Sequence, residues 1–116
     1  MTTNLSPLEK LCTEIEAAGR AYVEARLLSE QLDEDQKSFL AALENALEKQ
    51  SKSDKSEVMS EAKLDRLARG GTEYRDYIRS MCQARANTLR LRVRYDSLCR
   101  LFDARRTQEA TRRKEM

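Results

Sequence analysis

The chain has 116 residues, 22 Lys/Arg against 20 Asp/Glu, no histidine and 36% charged residues with 5% aromatic ones. That length sets a ceiling of one domain, and the charge-rich, aromatic-poor mix suits long solvated helices better than a thick globular core. No stretch approaches the roughly 20 apolar residues of a membrane span, and residues 1–10 lack the basic and apolar regions of a secretory signal. The net charge of +2 hides a polarity. Residues 1–50 carry 5 Lys/Arg and 10 Asp/Glu, residues 51–84 carry 7 and 6, and residues 85–116 carry 10 and 4.

Ser6-Pro7-Leu8-Glu9 is a helix start, with Ser6 as N-cap, Pro7 at the first helical position and Glu9 closing a capping box. From there apolar or small residues recur at gaps of three and four: Leu8, Leu11, Ile15, Ala18, Tyr22, Ala25, Ser29, Leu32, Gln36, Phe39, Leu43 and Ala46. This spacing predicts one helix over residues 7–50 with a single seam. Gly19 interrupts it mildly and leaves room for a bulky neighbour. The polar run 51–56 is the expected reversal, with Ser53, Asp54 or Ser56 available to cap the next helix.

A second helix is expected over 57–113. Its seam reads Leu67, Gly70, Tyr74, Tyr77, Met81, Ala84, Thr88, Leu91, Tyr95, Leu98 and Phe102, a period of about 3.5 residues. Gly70-Gly71 is a candidate break, but the seam keeps its register across the pair, so a continuous helix with at most a kink at 70–72 is expected. Close approach of a facing helix would then explain the glycines. Leu89 to Tyr95 alternates apolar and basic residues, a strand period, yet helical heptads flank it on both sides. Read as helix, it places Leu89 and Val93 away from the main seam; Leu28, Leu40 and Leu47 widen the first helix likewise. Faces that wide call for more helices.

The expected fold is therefore all-α: a long antiparallel, coiled-coil-like hairpin, assembling into a four-helix bundle as a homo-oligomer, with a dimer favoured. The seam that would hold hairpin or oligomer includes Leu32, Phe39, Tyr74, Tyr77, Met81, Leu89, Leu91, Val93, Tyr95, Leu98 and Phe102. A reversal centred near residue 53 pairs positions whose numbers add to about 107, so Leu8 is expected opposite Cys99 and Ile15 opposite Leu91 or Arg92. The segment after Arg100 should then overhang.

Chemistry is hard to find. Without histidine the commonest general base and metal ligand is missing, and no phosphate loop, nucleophile elbow or zinc motif occurs. The paired carboxylates Glu14/Glu16 and Asp33/Glu34/Asp35 read as a solvated face. Cys12, Cys82 and Cys99 read as reduced thiols in a cytoplasmic protein. No catalytic residue, metal site or cofactor is expected. Arg90, Arg94, Arg105, Arg106, Arg112 and Arg113 are candidates for contact with a polyanion, though Asp96, Asp103 and Glu109 are interspersed among them as intrahelical pairs would be.

The segments Glu73-Tyr74-Arg75-Asp76-Tyr77-Ile78, Ala84-Arg85-Ala86-Asn87, Arg92-Val93-Arg94-Tyr95-Asp96 and residues 102–112 resemble a group of small helical proteins of tailed bacteriophages and prophages. These tend to be encoded among recombination or replication genes. Gly70-Gly71 departs from the pattern. The resemblance implies an accessory protein of the host cytoplasm acting through protein contacts, and it supplies no active site. Nucleic-acid binding by the basic C-terminal helix is the alternative, and inhibition of a host defence system a further one.

Overall fold

The computed structural model describes residues 5–53 and 59–115, and they form three helices: α1 (Pro7–Ser53), α2 (Glu61–Gly70) and α3 (Thr72–Glu115). Among the described residues there is no strand, and the alternating stretch Leu89 to Tyr95 is helical. The fold is an all-α antiparallel helical hairpin. Ser6 and Glu9 start α1 reciprocally: the Glu9 amide donates to Ser6 Oγ (3.2 Å) and the Ser6 amide to Glu9 Oε2 (3.4 Å), which satisfies two amides that the first turn leaves open. α1 runs to Ser53, so the first residues expected in the reversal are still helical, and the rest of 51–56 lies outside the described residues. The N-cap of α2 is Ser60, whose Oγ accepts from the Lys63 amide at 3.2 Å; the expected caps Asp54 and Ser56 lie outside the described residues.

The helices contribute to two compact units. One joins α1 as far as Leu27 to α3 from Ala86 onward; the other spans Leu28–Arg85. In the first, Leu11, Ala18 and Ala25 are buried, and the half-buried Leu91, Tyr95, Leu98 and Phe102 supply the α3 side. Gly19 admits Tyr95: a Cβ there would lie 3.3 Å from Tyr95 Cε2. Leu8 shares a cleft with Phe102 and Arg106, and Ile15 one with Tyr95. α1 thus opposes α3 one to two helical turns further along than a sum of 107 predicts. The overhang expected after Arg100 is corrected accordingly, since residues as far as Arg113 flank Leu8 to Cys12.

In the second unit the buried residues are Ser29, Leu64, Ala68, Tyr74 and Met81, with Ser51 near the end of α1. Phe39 and Tyr77 stack with ring centroids 4.4 Å apart. The Tyr77 hydroxyl donates to the Leu32 carbonyl at 2.5 Å, and Gln36 Nε2 donates to Tyr74 Oη at 2.9 Å. The polar seam residue Gln36 thus finds a phenol across the seam. Arg85 reaches Asp33 at 2.7 Å on the flank.

Gly71 corrects the expectation of a continuous second helix. Its backbone is extended (φ −78°, ψ 160°); its amide donates to the Ala68 carbonyl and its carbonyl accepts from the Arg75 amide. One residue therefore closes α2 and opens α3. The interruption changes the phase. In α2 the buried pair is Leu64 and Ala68, while Leu67 is 43% exposed and Gly70 is exposed. Continuing that phase through a regular helix would turn Arg75 inward; stepping out of the helix at Gly71 brings Tyr74 in instead. A facing helix does not explain the glycines, because a Cβ on Gly70 would meet nothing within 4 Å.

Candidate interaction surfaces

Two kinds of surface are left once the seam is closed. The basic one is built by the last turns of α3 against the first of α1. Arg105 and Arg112, seven residues apart and so on one face, line a cleft with Pro7, Leu8 and Glu109. Arg106 and Arg113, again seven apart, flank Leu8 from the other side together with Glu9 and Cys12. The Arg106 guanidinium also sits over the Phe102 ring, 5.9 Å from its centroid. Arg90 and Arg94 lie a turn apart, both exposed, and stand apart from these four along α3. The six candidate arginines therefore form separate groups rather than one groove. Carboxylates of Glu9 and Glu109 line the same clefts, which lowers the local potential.

The second kind is apolar. Leu89 and Val93, placed by sequence among the seam candidates, are 61% and 64% exposed and take no part in the hairpin seam. The other seam candidates divide into buried Tyr74 and Met81 and half-buried Leu32, Phe39, Tyr77, Leu91, Tyr95, Leu98 and Phe102. Leu28 is exposed at 58%, as are two residues that sequence reading passed over, Val23 at 51% and Leu27 at 61%. Both occupy positions outside the first seam, on the side of α1 turned away from it.

A charged cluster between α1 and α2 was also missed, because Glu44 lies far in sequence from Asp65 and Arg69. Asp65 accepts from Arg69 Nε at 2.9 Å, and that guanidinium lies 5.9 Å from the centre of the Tyr74 ring. Glu44 approaches Asp65 from α1. Partial burial, then the hydrogen bond and like charge of Asp65, push the Glu44 carboxyl above its ordinary range, while Arg69 holds Asp65 below its own. Burial together with Asp35 and Asp33 raises the Tyr77 phenol, and a hydrogen bond with Cys99 raises that of Tyr95. The hydrogen-bonded carboxyls of Glu44 and Asp65 join α1 to α2.

Among the described residues no group of three or more acidic, cysteine or histidine side chains is arranged to hold a metal ion, and no helix is long and apolar enough to cross a membrane. In comparisons with protein families, with curated proteins and with solved structures, nothing matches this chain.

Proposed function

We propose that this chain is a non-enzymatic accessory protein that works by contact with other proteins, self-associating through its helices into a four-helix bundle. The observation that carries this reading is the thinness of the interior. The chain exposes 9500 Å², against about 6500 Å² for a compact monomer of its mass. Large apolar side chains such as Leu27, Leu28, Leu89 and Val93 remain more than half exposed. Association would cover apolar surface that the hairpin itself leaves open. With the resemblance of its second arm to phage proteins, the setting we propose is bacterial cytoplasm during phage growth or lysogeny, with recombination or replication factors as partners. Sedimentation equilibrium at low and high salt tests the first part: a dimer or larger assembly that persists at high salt is expected, and a monomer throughout the micromolar range would overturn it. Cross-linking in infected cells, followed by reconstitution of a stoichiometric complex from purified components, tests the second.

A nucleic-acid reading draws on one specific observation. Arg90, Arg94, Arg105, Arg112 and Arg113 are exposed, and none of them forms an ion pair with the described residues. On this reading, affinity for a DNA duplex falls steeply with salt. Changing Arg105, Arg106, Arg112 and Arg113 to Gln lowers the slope of log affinity against log salt by about 0.9 for each phosphate that is no longer neutralised. Substitution is a cleaner test than truncation after Arg100, which would also strip the residues packed beside Leu8.

A further inference from the structure

α3 sorts its arginines by side. Arg90, Arg94, Arg105 and Arg112 fall on one row, with Ser97, Leu101 and Gln108 between them. The gaps along this row are four, three, four, four, three and four, the spacing of a single helix face. Every member is exposed, and the four arginines form no ion pair with the described residues. The acids of this stretch stand off the row. Asp96 comes two residues after Arg94 and Asp103 two before Arg105, about half a turn round the helix. Glu109 follows Gln108 and borders the row near its end, in the cleft of Arg105 and Arg112. From α1, Lys10 and Glu14 border it beside Leu101 and Arg105, one charge of each sign.

The other cations of this part of α3 fall off the row. Arg92, two residues beyond Arg90, reaches Asp96 at 4.0 Å, and Arg106 lies over the Phe102 ring. Arg113 and Lys114 follow Arg112 and turn away from it in the same way. One side of α3 therefore carries a basic row with no acid in it from Arg90 to Arg112, while the acids and their arginine partners occupy the rest.

We propose that this row lies along the phosphate backbones of a nucleic-acid duplex. The inference rests on the nucleic-acid reading above and names its surface and the form of its ligand. Arginine interspersed with Ser and Gln is the set of side chains that contacts phosphate and sugar. The centre of a protein interface would be richer in aromatic and apolar side chains, and the row offers Leu101 alone. Single-strand sites stack bases on aromatic rings, but here Tyr95 and Phe102 are half-buried in the seam. The dimensions fit as well. From Arg90 to Arg112 the row covers about 33 Å of helix, close to the roughly 34 Å of one duplex turn. Its arginines come as a pair at either end with Ser97 and Leu101 between, so each pair meets one of the two backbones that border a major groove. Contacts of this kind fix position and read no sequence.

The test is fluorescence anisotropy of a tagged DNA duplex of arbitrary sequence, about three helical turns long, titrated with the full chain over a range of salt. One variant changes Arg90, Arg94, Arg105 and Arg112 to Gln; the other changes Arg92, Arg106, Arg113 and Lys114 to Gln. Both remove four charges from exposed helical positions, so net charge is matched and only placement differs; circular dichroism verifies that both stay helical. The row variant should flatten the slope of log affinity against log salt by about 0.9 for each arginine lost, and the other variant should stay within about one unit of the wild-type slope. If the row variant loses helix, Arg90→Gln with Arg94→Gln and Arg105→Gln with Arg112→Gln are tested as separate pairs, each expected to give half the effect. Equal losses in the two matched variants overturn the row and leave the nucleic-acid reading standing. A single strand bound as tightly as the duplex, or polyglutamate that displaces the tagged duplex as readily as untagged duplex does, overturns the duplex as ligand. A wild-type chain that ignores DNA even at low salt overturns both readings.

Discussion

A Cβ built on Gly19 would press to 3.3 Å from the Tyr95 ring, whereas one built on Gly70 meets open space. The same residue type thus has opposite consequences at two sites. Gly19→Leu should push Tyr95 out of its place and cost about 1–3 kcal/mol, as overfilling a packed contact does. Gly70→Ala should stabilise by about 0.5–1 kcal/mol, because alanine surrenders less backbone freedom in a helix and hits nothing. Thermal unfolding of both variants beside wild type checks the two signs; a stabilised Gly19→Leu would refute the close approach. Glu44 yields a prediction about pH. Its carboxyl binds a proton more readily folded than unfolded, so its contribution to stability is greatest at low pH and is lost as pH rises through the carboxylate range. Asp65 runs the other way, its contribution being lost as pH falls. Glu44→Gln should therefore melt higher than wild type near neutral pH, and the advantage should shrink as pH falls and the wild-type Glu44 protonates. An advantage that stays constant with pH would mean that neither burial nor Asp65 raises the Glu44 carboxyl.

At the level of the helices, the phase step at Gly71 decides which leucine matters. Leu64 is 7% exposed and Leu67 43%. Leu64→Ala should cost about 2–4 kcal/mol, the usual range for a buried leucine, and Leu67→Ala less than about 1 kcal/mol. Had the second arm been continuous on the register of Leu67, Gly70 and Tyr74, the order would reverse. Denaturant unfolding of the two variants separates these cases. The same stretch shows what was legible before the structure. Seams repeated at three and four over tens of residues predict long helices because no other arrangement keeps so many apolar residues on one face, and α1 and α3 follow. Ser6 and Glu9 were readable as a capping box because the motif is local. The step at Gly71 was not readable: in ten residues both Leu67 with Gly70 and Leu64 with Ala68 satisfy helical spacing, and only the opposing helix chooses between them. The pairing of α1 with α3 was displaced by one to two turns for a related reason, since α1 continues into the run where the reversal was expected.

The exposed surface of the whole chain bears on the self-association proposed above. Isolated hairpins of this size bury little, and the chain exposes 9500 Å². If a second copy covers the apolar flanks, folding and association are linked, and mass action raises the melting temperature as protein concentration rises. Calorimetry between about 5 and 500 µM should show this dependence for wild type. It should be weaker for Leu89→Lys, which puts a charge at an exposed apolar site without touching the seam. The direction at low concentration separates an interface effect from a folding defect. Where the dimer has already dissociated, Leu89→Lys and wild type should converge, because position 89 is 61% exposed in the hairpin and exchanging an exposed leucine there removes little packing. A melting temperature independent of concentration would mean that the hairpin is stable alone, and its uncovered flank would then be a surface for a partner other than itself.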